Sequence, residues 1–86
     1  MRSIEPDPDA ARAIRDLEKW KTKMVGAQLH FDPAKNVKIG AGALETLKKA
    51  GLVDASVLTL TQKEAHARVT AEIARIDEEV ADISGR

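Results

Sequence analysis

The feature that most constrains the fold is a row of branched apolar residues near the C-terminus. These residues follow one another at alternating spacings of four and three, and we call them the seam: Val69, Ile73, Ile76, Val80 and Ile83. Such spacing places all five on one side of an amphipathic α-helix or a short coiled coil. We therefore predict that another part of the protein covers this side of a long C-terminal helix.

Both ends of this helix are marked in the sequence. Thr61 and Glu64 have the spacing of a capping box, in which the hydroxyl and the carboxylate each accept a backbone N–H that the helix leaves unpaired. Gly85 follows the last seam residue, at a position where helices often end. The predicted helix covers residues 62–83.

The opposite side of the same helix is lined by small residues. We call it the alanine face, and it consists of Ala67, Ala71, Ala74, Glu78 and Ala81. At about 100° per residue, its alanines lie roughly 140–160° round from the seam. Alanine is the best helix former and can simply fill an exposed surface. Alternatively, its small side chain lets a second helix approach closely, which makes this face a candidate partner interface.

A first helix is predicted over residues 9–25. It follows an extended lead-in over residues 1–8, in which Asp7 caps the helix and Pro8 suits its first turn. Gly26 predicts its end. Its apolar face includes Ala10, Ala13, Ile14, Leu17, Trp20 and Met24. We expect this face to pack against the seam as an antiparallel pair.

A second helix is predicted over residues 41–50, and Gly51 is suited to the left-handed conformation that often ends a helix. The segments around 28–39 and 57–60 alternate apolar and polar residues, so a minimal β-hairpin or short sheet is one interpretation. The other is a helix that begins after Asp32, with Pro33 in its first turn. The resulting fold is mainly α: a small three-helix bundle, or a helical hairpin, in one domain over residues 1–86.

Composition limits the chemistry of the chain. It has no cysteine, which excludes disulfides, thiolate zinc sites and a cysteine nucleophile. His30 and His66 have no second ligand at metal-binding spacing, and no cofactor motif is present. We therefore expect a protein that is not an enzyme and that holds no metal or cofactor.

The first residues do not resemble a signal peptide, and no run of apolar residues is long enough to span a membrane. We expect no membrane partner, and a location in the cytoplasm or within a virion-type assembly.

Charge is unevenly distributed along the chain. Residues 12–49 contain nine lysines and arginines against four acidic residues, a net charge of +5, whereas residues 64–82 contain two against six, a net charge of −4. The basic residues that could contact nucleic acid are Arg12, Arg15, Lys19, Lys23, Lys48 and Lys49. The total charge is zero, although proteins devoted to nucleic acid are usually basic overall.

Two functions are consistent with these patterns. The first is a non-enzymatic assembly or adaptor protein that forms a homo-oligomer or binds a larger complex, such as a phage particle, through its helix faces. The alternative is a small regulatory protein that binds nucleic acid through a basic helix face. The sequence favours the first, because its most regular features are helix surfaces.

Overall fold

The structure, a computed structural model, describes residues 8–85. Three helices make up most of this part of the chain: α1 (Pro8–Gln28), α2 (Ala41–Lys49) and α3 (Gln62–Ser84). They confirm the predicted mainly α fold. The lead-in predicted before Pro8 and the cap predicted at Asp7 lie outside the described residues.

Helices α1 and α3 form the antiparallel pair expected from their apolar faces. Gln28 Nε2 donates to Thr70 Oγ1 over 2.8 Å, and Lys21 Nζ lies 2.6 Å from Asp77 Oδ1. Moving back along α1 from residue 28 to 21 therefore corresponds to moving forward along α3 from residue 70 to 77. The two interactions fix both the direction and the register of the pair.

The core lies where the second half of α1, helix α2 and α3 meet. Its buried residues come from all three helices and from the segment between α2 and α3: Met24, Leu44, Leu47, Val53, Leu60, Ala65, Val69 and Ile76. Leu17, Ile73 and Val80 are half-buried and continue this packing along the α1–α3 pair. Burial of these side chains is the main source of stability in a chain with so few aromatic residues.

The predicted ends of α2 and α3 are formed. Glu64 N donates to Thr61 Oγ1 over 3.1 Å and Thr61 N donates to Glu64 Oε1 over 3.3 Å, which completes the capping box of α3. Gly51 has a φ of +78°, and the Leu52 N–H donates back to the Leu47 carbonyl over 3.0 Å. This arrangement closes α2 and turns the chain so that Val53 enters the core.

Helix α1 does not end at Gly26 as predicted but continues to Gln28. Ala27 packs against the core, and the side chain of Gln28 is bonded to Thr70 on α3. A glycine within a helix costs only about 1 kcal/mol. These tertiary contacts therefore offset the cost.

The interpreted β-hairpin over residues 28–39 is not formed. Leu29–Phe31 leaves α1 as a turn, in which the His30 N–H donates to the Ala27 carbonyl. Within residues 8–85 the only strand-like pairing is one antiparallel bridge between Lys38 and Thr61. The alternative helix after Asp32 is also absent. Asp32 Oδ1 accepts the Ala34 N–H and the Asp32 carbonyl accepts the Lys35 N–H, which forms a single turn that does not continue as a helix.

Candidate functional site

The seam of α3 faces the inside of the molecule. Val69 and Ile76 expose 0% of their surface, while Ile73, Val80 and Ile83 are half-buried. Helix α1 covers the seam along the pair, and Leu44 and Leu47 of α2 belong to the same buried cluster as Val69. The seam is therefore used for folding in this chain and does not present its large side chains to a partner.

The alanine face of α3 points away from α1. All five of its members, Ala67, Ala71, Ala74, Glu78 and Ala81, are exposed. The Glu78 side chain forms no hydrogen bond or ion pair with another described residue. Over about four helical turns the middle of this side presents methyl groups and the carboxylate of Glu78. The charged side chains of Arg75 and Asp82 lie along its edge, about 120–140° round from the seam.

A polar network joins α1 to α3 beside the seam. Trp20 Nε1 donates to Glu72 Oε2 over 2.7 Å, and Arg75 donates to both oxygens of Glu72 through Nε (2.6 Å) and Nη2 (2.9 Å). Arg75 also donates to Glu79 Oε2 over 2.7 Å. The hydrogen bonds from Arg75, followed by the one from Trp20, hold the pKa of Glu72 below its usual value. The network orients Trp20 between the two helices.

Four of the six candidate nucleic-acid contacts share one surface. Arg12, Arg15, Lys19 and Lys23 are exposed on the side of α1 that faces away from α3, and we call them the basic stripe. They form no ion pair with another described residue. Lys48 is half-buried and Lys49 is exposed, and both belong to α2.

A groove lies where the end of α1, the segment before α2, α2 itself and the first residue of α3 come together. Its volume is about 450 Å³. The residues that line it are Ala27, His30, Phe31, Lys38, Ile39, Gly40, Ala43, Thr46, Leu47 and Gln62. Most of this lining is apolar. The sequence did not predict the groove, because its residues come from three separated segments and no local periodicity links them.

The groove lining has one charged side chain, the Lys38 ammonium. Lys38 and His30 are exposed, and neither side chain bonds to another described residue. No side chain caps α2 at Gly40, so the N–H groups of its first turn add partial positive charge at the same place. The lining contains no carboxylate.

The described residues provide no metal centre and no membrane span. No group of three or more His, Asp or Glu side chains in residues 8–85 is arranged to hold a metal ion. Within the same range, none of the helices combines the length and the apolar character needed to cross a membrane. His66 Nδ1 lies 3.3 Å from Thr70 Oγ1, which itself accepts from Gln28, so this histidine takes part in the α1–α3 contact.

Comparison with known proteins gives no relative. No family model matches the chain, and no match is found among curated proteins or solved structures.

Proposed function

We propose that the protein is a non-enzymatic assembly or adaptor protein whose partner contacts are made by the outer side of α3. The observation that carries this proposal is the division of α3 into a seam that α1 covers and an alanine face that is wholly exposed. A helix that only had to cover one side of a bundle would more often carry long charged side chains on its outer side.

The chemistry of the alanine face suits a second helix. Methyl groups allow two helix axes to approach closely, and packing at that distance brings backbone and side-chain atoms of both helices into contact. Glu78 lies within this face, so a partner with a lysine or arginine at the matching position would complete it. A second copy of this chain would offer lysines and arginines through the basic stripe of its α1. The other candidate partner is a helical subunit of a larger complex, such as a phage particle.

The test is association of the Ala71→Arg variant. Arginine at position 71 places a long charged side chain in the middle of the alanine face. We expect the mass measured by light scattering to rise with concentration for the original chain but to stay near the monomer value for the variant. Circular dichroism should show the same helix content for both.

The matched control is Thr22→Arg, which adds the same charge at an exposed position of α1. It should associate like the original chain. Equal masses for the original chain and Ala71→Arg at every concentration would overturn the proposal for self-association. Capture of a defined native partner by the original chain and by Thr22→Arg, but not by Ala71→Arg, would assign the alanine face to that partner instead.

A second candidate function is binding of nucleic acid. It is favoured by the basic stripe, whose four side chains are exposed, unpaired among the described residues and on one helix face. Four phosphate contacts predict that binding weakens with salt, with a slope of log K against log salt of about −3 to −4.

A double variant, Lys19→Glu with Lys23→Glu, should lose retention on a DNA column, whereas Lys35→Glu on the loop should lose little. If the original chain passes through DNA and heparin columns unretained at low salt, this function is excluded.

A further inference from the structure

We propose that the groove between the end of α1 and α2 binds an acidic segment of a partner protein, with a large apolar side chain of that segment inserted. Its volume of about 450 Å³ lies within the range of specific binding sites, roughly 300–1,000 Å³. Phe31, Ile39 and Leu47 form apolar walls, and Ala27 and Ala43 leave room between them. An apolar side chain that enters this groove leaves water, which favours binding.

The charge of the groove selects the occupant. Its lining contains the cationic side chain of Lys38 but no carboxylate. Glu45, the acidic residue of α2, lies about 200° round the helix from the lining residue Ala43. Asp32 follows Phe31 in sequence, and its Oδ1 accepts the Ala34 N–H outside the lining. Glu64 also lies outside the lining, where its Oε1 accepts the Thr61 N–H. Carboxylates beside the inserted side chain are therefore attracted, whereas lysines would be repelled.

The surface next to the groove indicates a protein partner rather than a small molecule. Leu29 exposes 83% of its surface and Val37 exposes 60%, and each is adjacent in sequence to a lining residue, His30 or Lys38. Large exposed apolar side chains around a groove are typical of interaction surfaces. A small ligand would only fill the groove, whereas a peptide segment can extend beyond it over neighbouring apolar surface.

This proposal does not depend on the alanine face. The groove uses α1, α2, the segment between them and only the first residue of α3, Gln62, whereas the alanine face begins at Ala67 and runs along the rest of α3. An adaptor with both surfaces would hold two partners at once. Failure at one surface would leave the other unaffected, and variants can test them separately.

The experiment is a titration of the full-length ¹⁵N-labelled chain with two synthetic helical peptides. Both carry leucine or phenylalanine at positions i, i+4 and i+7; the remaining positions are mainly glutamate in the first peptide and mainly lysine in the second. We expect the acidic peptide to shift the amide signals of lining residues such as Ala27, Ile39 and Ala43. We expect it to bind at least tenfold more tightly than the basic peptide.

Two pairs of variants make the test specific. Lys38→Glu should weaken binding of the acidic peptide about tenfold, while Lys49→Glu, the same charge change outside the lining, should not. Ala43→Leu fills part of the groove and should also weaken binding, unlike Ala41→Leu at an exposed position of α2.

Equal binding of both peptides, shifts confined to other surfaces, or no shifts at millimolar peptide would overturn the proposal. It would also be overturned if decanoate shifted the lining residues and the acidic peptide did not, because the groove would then be a site for small amphiphiles.

Discussion

The two sides of α3 differ in what their side chains can do, although they belong to the same helix. The seam consists of valine and isoleucine, which bury a large apolar area when α1 covers them. The alanine face consists of residues that lose little by remaining in water and that stabilise the helix by their high propensity. The seam therefore stabilises the fold, and the alanine face is available to contact a partner.

The comparison shows how a small helical chain separates stability from recognition. In a domain of 86 residues the core is small, so the large apolar side chains are needed inside. A partner surface made of alanine leaves the large apolar side chains in the core. It also keeps the exposed apolar area of the free protein small. Three variants of α3, taken from the largest expected effect to the smallest, test this division.

Ile76→Ala should have the largest effect, because it removes the largest fully buried side chain of the seam. Such truncations cost about 2–5 kcal/mol, as the loss of apolar burial adds to the cost of the cavity. The free energy of unfolding, measured by urea titration with circular dichroism, should fall by that amount. Ile83→Ala is the matched control. Because Ile83 is only half-buried, this variant should lower the free energy of unfolding clearly less. Equal losses at the two positions would contradict a core centred on Ile76.

Glu72→Gln tests the boundary between the two sides, where Glu72 meets Trp20 and Arg75. Its side chain is 12% exposed, but that of Arg75 is 53% exposed, so water screens the pair and the loss at pH 7 should be about 0.2–1 kcal/mol. The pKa of Glu72 is lowered in the folded chain. Its contribution to stability is therefore present above the unfolded pKa of 4.5 and is lost as pH falls through the lower folded value.

The urea midpoint of the original chain should accordingly fall more between pH 7 and pH 3 than that of Glu72→Gln. The exposed Glu78→Gln variant makes the same chemical change on the alanine face and should follow the original chain. An identical pH dependence in all three proteins would show that the network contributes no stability.

Sequence patterns predicted the parts of the fold that depend on local periodicity. The spacing of the seam, the Thr61–Glu64 box and the glycine at position 51 each determine local structure, and all three are formed. The end of α1 was predicted wrongly, because contacts of Ala27 and Gln28 with distant residues outweigh the local preference of Gly26. The β-hairpin interpretation was wrong, because an alternation of apolar and polar residues over only three positions is also compatible with a turn and a single bridge.

Of the candidate surfaces, one could be predicted from local periodicity and the other depends on how the helices pack. The exposure of the alanine face follows directly from helical periodicity once the seam is buried. The groove, in contrast, depends on how α2 is placed against the end of α1. The bond from Trp20 to Glu72 likewise depends on the register of the α1–α3 pair, since 52 residues separate the two side chains in the sequence.

Ala74→Gln should have the smallest effect on the monomer, although Ala74 is only two residues from Ile76. Its side chain is exposed, and the difference in helix propensity is a few tenths of a kcal/mol, so the free energy of unfolding at low micromolar concentration should change by less than about 0.5 kcal/mol. A loss above about 1 kcal/mol would show that position 74 is packed within the fold. At higher concentration the same variant tests association, because binding of a second copy raises the unfolding midpoint as concentration rises. If the alanine face forms the contact, the midpoint of the original chain should rise with concentration and that of Ala74→Gln should stay constant.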